Sequence, residues 1–483
     1  MEASNELLVS FPEAGVQAPL SHRLKKLCQM SLGPAIFLLF FAISFSSVVG
    51  QNWIIKLTCT TIFGYNETIC NQLGTANATE EIHEIERTVQ PYVTQILMTV
   101  SLAGGIGPSL TGIFFGAWSD KFGRRPLLLT AFGGFFVSSV MSTFISYLST
   151  VCLVSPWVVV LTTIPTSLVG GFCSILGGTF CYIADTATEK QRPFQLAIVG
   201  AFISLGMFLG SLTSAYAIDV LSMTAIFGIH SALMFTALLY ITLFVAESLD
   251  SERLQTTSKL RGLFKWSLVK DMSNTLLQRR PGYDRMIVWI CIAVLCVCIF
   301  AVEGPSTIFF LYVREQFHWT ASDYATYNAI STLVGALGST LAIIILQKCL
   351  KFSPVSIILI GLGTNLLNHV VKTFATESWH LYLAITISAA SGAAFPTCRS
   401  LIATVVPSEE IGKVYSVSTA LEFIAPIGSA PLYTYVYNAT LDTFAGAFNG
   451  ITVFLYLISY ILFAILFGLE TYDPSIINRP AMH

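Results

Sequence analysis

Charge is scarce in this chain. Asp, Glu, Lys and Arg make up 11% of its 483 residues, and 25 basic side chains against 27 acidic ones leave a net charge of −2. No basic block of the kind that neutralises a phosphate backbone breaks that balance, which excludes a nucleic-acid partner. The eleven cysteines are scattered. Several fall inside apolar runs (Cys173, Cys181, Cys291, Cys296, Cys298), where a thiol acts as a small hydrophobe. No Cys/His spacing resembles a metal site. A Ser/His/Asp array, an intramembrane carboxylate dyad and a nucleotide-binding loop are also missing, so neither enzyme chemistry nor a cofactor is expected. Residues 1–30 are polar and end in Arg23, Lys25 and Lys26, but the apolar segment after them is too long for a secretory signal and lacks a cleavage site.

Apolar surface is what the chain has in excess. Hydrophobic residues reach 54%, aromatics 12%, and the mean hydropathy is +0.72. A soluble fold of this composition could not hide its surface from water. Apolar stretches of about 20 residues, the length that crosses a bilayer, recur near 32–50, 94–117, 126–148, 153–183, 195–217, 224–246, 285–310, 325–347, 354–375, 379–405, 414–437 and 446–468. That pattern predicts twelve transmembrane helices. Two connections are long: 51–93, and 247–284, which divides the helices six and six.

Positive charge orients them. With the N-terminus inside, the inner loops collect Lys121, Arg124, Arg125, Lys190, Arg192, Lys348, Lys351 and Lys413, together with the basic residues of 247–284. The outside receives Lys56, Arg87 and Arg314. The bias obeys the positive-inside rule and puts both termini in the cytoplasm. Sequons at Asn66, Asn77 and Asn438 all fall in segments assigned outside, as glycosylation requires. Cys59 and Cys70 share the first external loop, where a disulfide and two free thiols are both open. The expected organisation is a cytoplasmic tail (1–30), a six-helix half (31–246) with an external loop (51–93), a cytoplasmic loop (247–284), a second half (285–469) and a tail (470–483). Within the central loop, Leu260, Leu263, Phe264, Leu268 and Met272 recur at helical spacing, as in a helix lying on the inner leaflet. "NELLVS" hints at a dileucine sorting signal, but its acid spacing is unusual. The plasma membrane is favoured over the lysosomal one.

The halves echo each other. "LFVAESLD" (243–250) and "LFGLETYD" (466–473) close helices six and twelve, 223 residues apart. "GGFCSILGGTFCYIADTATEKQR" (170–192) overlays 391–413 at an offset of 221, aligning Gly171 with Gly392, Glu189 with Glu410 and Arg192 with Lys413. Parallel halves with a substrate site between them at mid-membrane are a transporter design.

Between helices two and three stands "GAWSDKFGRR" (116–125). Gly116 permits close helix approach and Gly123 a tight turn, while Asp120 can accept charge-assisted hydrogen bonds from Arg124 or from a helix end. Here the sequence resembles the major facilitator superfamily, whose signature is this Gly-x-x-x-Asp-Lys-x-Gly-Arg-Arg pattern. Within it, "GAWSDKFGRRPLLL" (116–129), "IADTATEKQRPF" (183–194), "IFFLYVREQFHW" (308–319) and "RSLIATVVPSEEIGKVYSV" (399–417) resemble solute carrier family 46, the family of the proton-coupled folate transporter. The resemblance implies an all-α membrane protein with twelve transmembrane helices in two pseudo-symmetric six-helix halves, the major facilitator fold. It also implies symport of an organic anion with protons. The partners are then a small anionic substrate, protons and the lipid bilayer. Gly200, Gly171 and Val302 stand where the folate carrier has a glutamate, an aspartate and a histidine, and Thr163 where many proton-driven relatives have an arginine. Those departures weigh against folate itself and leave the fold untouched.

Ionisable residues inside the membrane carry a functional hypothesis by default. Arg399, three residues after Pro396, matches the family's helix-ten arginine; it offers a planar fork to an anion or pairs with Glu422. Glu303, before Gly304 and Pro305, is a proton carrier or a vestibule group. Glu422 serves as a proton carrier or as the partner of Arg399. Gly116, Asp120, Gly123, Arg124, Arg125, Asp185 and Arg192 form a cytoplasmic gate that latches the halves in one state, or only set topology. His230 and His369 read as structural, and Lys372 as snorkelling to the interface. Two functions remain: a secondary active transporter working by alternating access, and a receptor or scaffold that keeps the fold without transporting.

Overall fold

A bilayer leaves no water for backbone groups, so a spanning chain must bond its own amides, and helices do so segment by segment. The computed structural model describes residues 32–75, 78–187, 192–249, 283–407 and 410–472. Asn77, the tail 1–30, the bulk of the central loop with its 260–272 stretch, and the side chains of Asp120 and Arg192 lie outside the described part.

The spanning helices are α1 (Gly33–Thr61), α2 (Glu80–Phe122), α3 (Arg124–Val151), α4 (Pro156–Thr186), α5 (Arg192–Val220) and α6 (Met223–Phe244) in the N-terminal half. The C-terminal half holds α7 (Asp284–Ser306), α8 (Ala321–Cys349), α9 (Pro354–Thr373), α10 (Ser378–Val405), α11 (Ile411–Thr440) and α12 (Ala447–Tyr472). Eleven of them are long and apolar enough to cross a membrane, and the 30-residue α11 completes twelve. Two short helices, Glu67–Cys70 and Phe309–Phe317, sit between α1 and α2 and between α7 and α8.

Each half packs by the same plan. Helix α1 lies against α5 and α6, and α3 against α6; in the second half α7 lies against α11 and α12, and α9 against α12. The halves meet where α5 packs on α8 and α2 on α11. The internal repeat reappears as geometry. In α4 the helix breaks at Gly170 and Gly171, both with positive φ (81° and 48°), after a 3₁₀ stretch at Pro156–Thr163. In α10 a 3₁₀ stretch, Ser388–Ala393, holds Gly392, the residue aligned with Gly171. Each interruption is a close crossing. A side-chain carbon on Gly170 would lie 3.2 Å from the Cα of Gly112 in α2, and one on Gly392 would lie 2.8 Å from the Ser339 side chain in α8.

The first connection is shorter than the 51–93 expected. Trp53, Ile54, Ile55 and Leu57 are buried and carry α1 on to Thr61. Helix α2 starts at Glu80, with Ile82, Glu86, Val89 and Val93 turned inward and Glu80, Glu81 and Glu84 in solvent. An amphipathic extension of this kind needs protein on one side rather than lipid all round, which is why a search for apolar runs missed it. The 43-residue α2 rises past the bilayer. Likewise α12 runs to Tyr472, so the expected tail from 470 begins inside a helix.

Gly206 and Gly210 let α5 touch α1: a side-chain carbon on Gly206 would lie 2.8 Å from the Phe37 carbonyl oxygen, and one on Gly210 would collide with that of Phe41. Gly210→Leu should therefore lower the melting temperature of the purified protein, with an overpacking cost of about 1–3 kcal/mol. Gly200→Ala, with no atom within 4 Å of the added carbon, should leave it unchanged. Equal melting temperatures for wild type and Gly210→Leu would show that the two backbones are not in contact.

Candidate functional site

The 3₁₀ stretch of α10 delivers the chain to Ala394–Val405, and Arg399 lies in its second turn. Its Nη2 donates to Glu422 Oε2 of α11 at 2.7 Å and lies 3.5 Å from Thr419 Oγ1. The guanidinium is flanked by the rings of Phe395 (5.1 Å) and Tyr415 (5.9 Å), and the Tyr415 hydroxyl donates to the Arg399 carbonyl at 2.6 Å. Glu422 also accepts from Ser418 Oγ at 2.8 Å. The two ends of this pair are not equally enclosed: the Arg399 side chain is 26% exposed and that of Glu422 only 7%. Among the described residues, Arg399 Nε is buried without a hydrogen-bond partner. The structure thus brings together the two residues that the sequence offered as alternatives. Glu303 is not part of the group; among the described residues its carboxylate has no partner. His230 is bonded to Ser46 Oγ at 2.6 Å, and His369 stacks on Tyr456. Lys372 turns its ammonium over Phe309 (5.1 Å) and Tyr327 (6.0 Å).

At one end of the bundle, Gly116 lies in α2 and Gly123 joins α2 to α3 with φ 112°. Arg124 is buried. Its Nε donates to Asp185 Oδ2 in α4 at 3.0 Å and its Nη1 to Ser119 Oγ in α2 at 2.6 Å. Arg125 Nη2 donates to the Thr242 carbonyl of α6 at 2.6 Å. Glu247, just after α6, accepts from the backbone amides of Arg124 (2.8 Å) and Arg125 (3.2 Å), placing a carboxylate at the positive end of α3. These bonds stitch α2, α3, α4 and α6 to one another within the N-terminal half. Glu247 was not singled out from sequence, yet the repeat marked it. Its counterpart at the offset of 223 is Glu470, which accepts from Ser353 Oγ, the N-cap of α9, at 3.0 Å.

A third cluster closes the other end, the one expected to face outward, where sequence reasoning placed only stray charges. Arg314, on the short helix Phe309–Phe317, is buried against Glu86 of α2; the two side chains are 1% and 4% exposed. Its Nη1 also donates to Asn52 Oδ1 of α1 at 2.7 Å. Arg87 reaches Glu315 Oε1 (3.3 Å) and Asp442 Oδ1 (3.1 Å). Tyr437 donates to Gln90 at 2.9 Å, and Asn438 exchanges hydrogen bonds with Thr94 at 2.8 and 3.0 Å. All of these cross between the halves. A glycan on Asn438 would have to break the Thr94 pair, because the residue sits in the last turn of α11 rather than in a free loop. Asn66 instead caps the external helix Glu67–Cys70 and is exposed. Cys59 and Cys70 are joined in a disulfide. The loop that follows brings Gly74 against the Arg314 guanidinium, where any side chain would collide.

Twelve helices in repeated halves, joined at one end and holding an arginine–carboxylate pair in the C-terminal half, define a membrane transporter architecture. Residues 68–430 match the family model of the Major Facilitator Superfamily, and the chain belongs to that family. Within it the relatives include members of solute carrier family 46. The chain is 33% identical over 449 residues to the "Probable peptidoglycan muropeptide transporter SLC46" of Drosophila melanogaster, covering 92% of this chain and 86% of that one. It is 26% identical to the "Lysosomal proton-coupled steroid conjugate and bile acid symporter SLC46A3" of Gallus gallus (86% and 88% covered). To the "Proton-coupled folate transporter" of Rattus norvegicus it is 25% identical (88% and 90% covered). Among solved structures, the human organic anion transporter MFSD10 superposes with a TM-score of 0.62 over 92% of this chain and all of that one, at 15% identity, a likeness of fold.

Removing one partner of a buried ion pair strands the other. Glu86→Gln and Arg314→Met should each destabilise the externally closed state by about 3–5 kcal/mol, and the double variant by less than the sum. Thermal melting of the four proteins gives the coupling; strict additivity would mean the pair does not interact. Glu315 yields a pH prediction. Burial, opposed by Arg87 and His318 and aided by Glu86 and Asp442, raises its carboxyl above the ordinary value. The closed arrangement therefore favours the protonated form. This stabilisation is complete below the ordinary glutamate value and is lost as pH rises through the raised one. Glu315→Gln should match wild type near pH 4 and melt higher at pH 8. A variant that melts lower at pH 8 would show that the Arg87 bridge outweighs burial.

Proposed function

We propose that this protein is a proton-coupled symporter of organic anions working by alternating access, with Arg399 as the anion-binding group and Glu422 as the proton-dependent competitor for it. The Arg399–Glu422 pair carries the reading. An empty guanidinium in a membrane needs a counter-charge, and Glu422 supplies it. Protonation of Glu422 removes that charge and leaves the Arg399 fork free for a carboxylate. Release of the anion and the proton lets the pair re-form, so the cycle returns to the arrangement seen here. Phe395 and Tyr415 beside the guanidinium add a face on which a flat or hydrophobic part of the cargo can lie.

The cytoplasmic cluster around Arg124 and Asp185 is the gate at the opposite end, open while the external seam is closed. Glu303, unpaired, is a second proton-binding group on the path. The names of the relatives support this chemistry: two are called proton-coupled, and their cargoes, folate and bile acids, are carboxylic acids. The muropeptide carrier is the relative with 33% identity, so an anionic glycopeptide is the first substrate to try. The plasma membrane is the proposed site, with both termini cytoplasmic and Asn66 and Asn77 facing outward.

Uptake of labelled muramyl dipeptide, taurocholate and folate at external pH 5.5 and 7.5 tests the proposal in cells whose surface expression is checked by biotinylation. Acid should stimulate uptake of at least one. Arg399→Ala should reduce it roughly tenfold or more, the worth of a charge-assisted contact. Glu422→Gln should transport with little difference between the two pH values. Undiminished uptake by Arg399→Ala, or no uptake of any of the three by surface-expressed protein, would overturn the reading.

A further inference from the structure

One charge of the C-terminal half is left without a counter-charge. Lys372 lies in the last turn of α9, and its ammonium sits over the rings of Phe309 (5.1 Å) and Tyr327 (6.0 Å). Among the described residues it has neither a hydrogen bond nor an ion pair. The acids of the seam are committed elsewhere, Glu86 to Arg314, and Glu315 and Asp442 to Arg87. Glu303, the unpaired carboxylate of this half, forms no ion pair with it. Burial strips water from the ammonium. Two ring faces return only part of what that costs.

Polar atoms without partners gather around this cation. The Tyr327 hydroxyl on α8 is one, on a residue that is 3% exposed. Asn368 and His369 precede Lys372 by one turn on the same face of α9, and Asn368 Oδ1 and His369 Nδ1 are also buried and unpaired. On α12, which packs against α9, Asn449 is fully enclosed and neither of its amide atoms has a partner. Lys372 and Asn449 both lie near enough to the His369 ring to act on it, Asn449 without the geometry of a hydrogen bond. Buried polar groups are ordinarily satisfied, so a cluster of orphans marks a missing occupant. The ammonium, the Tyr327 hydroxyl and the Asn449 amide nitrogen are all donors. Water can serve the two amide oxygens, but it brings no charge to set against the ammonium.

We propose that Lys372, with the Tyr327 hydroxyl and the polar groups around His369, binds a small inorganic anion of halide size. The ion supplies the counter-charge that no described side chain provides. The site is separate from the proposed cargo site, since it shares no residue with the Arg399–Glu422 pair. Its enclosure suits an ion rather than a carboxylate carried on a larger molecule.

Melting of purified full-length protein, free of cargo, tests the proposal as sodium chloride replaces sodium gluconate at constant ionic strength and neutral pH. The melting temperature should rise with chloride and level off, as it does for a ligand held by the folded chain. Lys372→Met should abolish the rise and, in gluconate alone, melt above wild type, because no unpaired charge is left to bury. Tyr327→Phe should raise the half-saturating chloride concentration roughly tenfold, the worth of one hydrogen bond to a charged group. Arg399→Ala should keep the rise, so the outcome does not depend on the transport reading. No rise in wild type, a rise unchanged in both Lys372→Met and Tyr327→Phe, or one lost in Arg399→Ala but kept in Lys372→Met would overturn the inference.

Discussion

A charge taken out of water must find an opposite charge or a set of hydrogen bonds, and that constraint organises this molecule more than any other. With so few charged residues, each match doubles as a joint. Arg124 ties three helices of the N-terminal half through Asp185 and Ser119, Arg399 ties α10 to α11 through Glu422, and Arg314 ties the two halves through Glu86 and Asn52. None of the three arginines is lipid-facing decoration. Between them they hold the two ends and the interior of the transporter.

The joints differ in what they can release. The Arg124 network is bonded within a single half and is backed by Glu247 on the α3 amides, so it moves with that half as one body. The external joint crosses the halves and must break if the outside is to open. Its buried pair is covered by the loop that follows the Cys59–Cys70 disulfide and flanked by Arg87, Glu315 and Asp442 nearer to water. In the middle joint the exposed arm is the cation, the Arg399 side chain being 26% exposed against 7% for Glu422, whereas in the Arg124 joint it is the carboxylate, Asp185, that is 26% exposed. A group that is bonded but reachable is suited to exchanging partners, and a group that is bonded and enclosed is suited to holding them.

Symmetry links these features. The same eight-residue echo ends α6 and α12, and its glutamates, Glu247 and Glu470, bond to the starts of α3 and α9. The interrupted middles of α4 and α10 fall at aligned glycines and cross α2 and α8 at close range. Among the described residues the Arg399–Glu422 pair belongs to the C-terminal half: Arg399 has no basic counterpart at the aligned position, which is Gly178. The repeated scaffold is common to both halves, and the proposed binding chemistry belongs to one.

Much of this was legible in one dimension. Spanning is a local requirement of length and apolarity, so the twelve segments, the repeat and the motif at 116–125 could be read without a fold. Arg399 stood out because a charge in an apolar run is conspicuous, and Glu422 could be proposed as its partner because both lay in neighbouring predicted helices. The external seam was not legible. Glu86 lies on an amphipathic extension that looked like loop, and Arg314 looked like one more charge at a helix end. They lie more than two hundred residues apart, on separate halves. The break at Gly170 and the engagement of Asn438 by Thr94 were hidden for the same reason. The sequence by itself determined how many times the chain crosses the membrane and which few residues are charged. Only the tertiary structure decided which charges meet, because burial of a charge is settled by the helices packed around it and not by its neighbours along the chain.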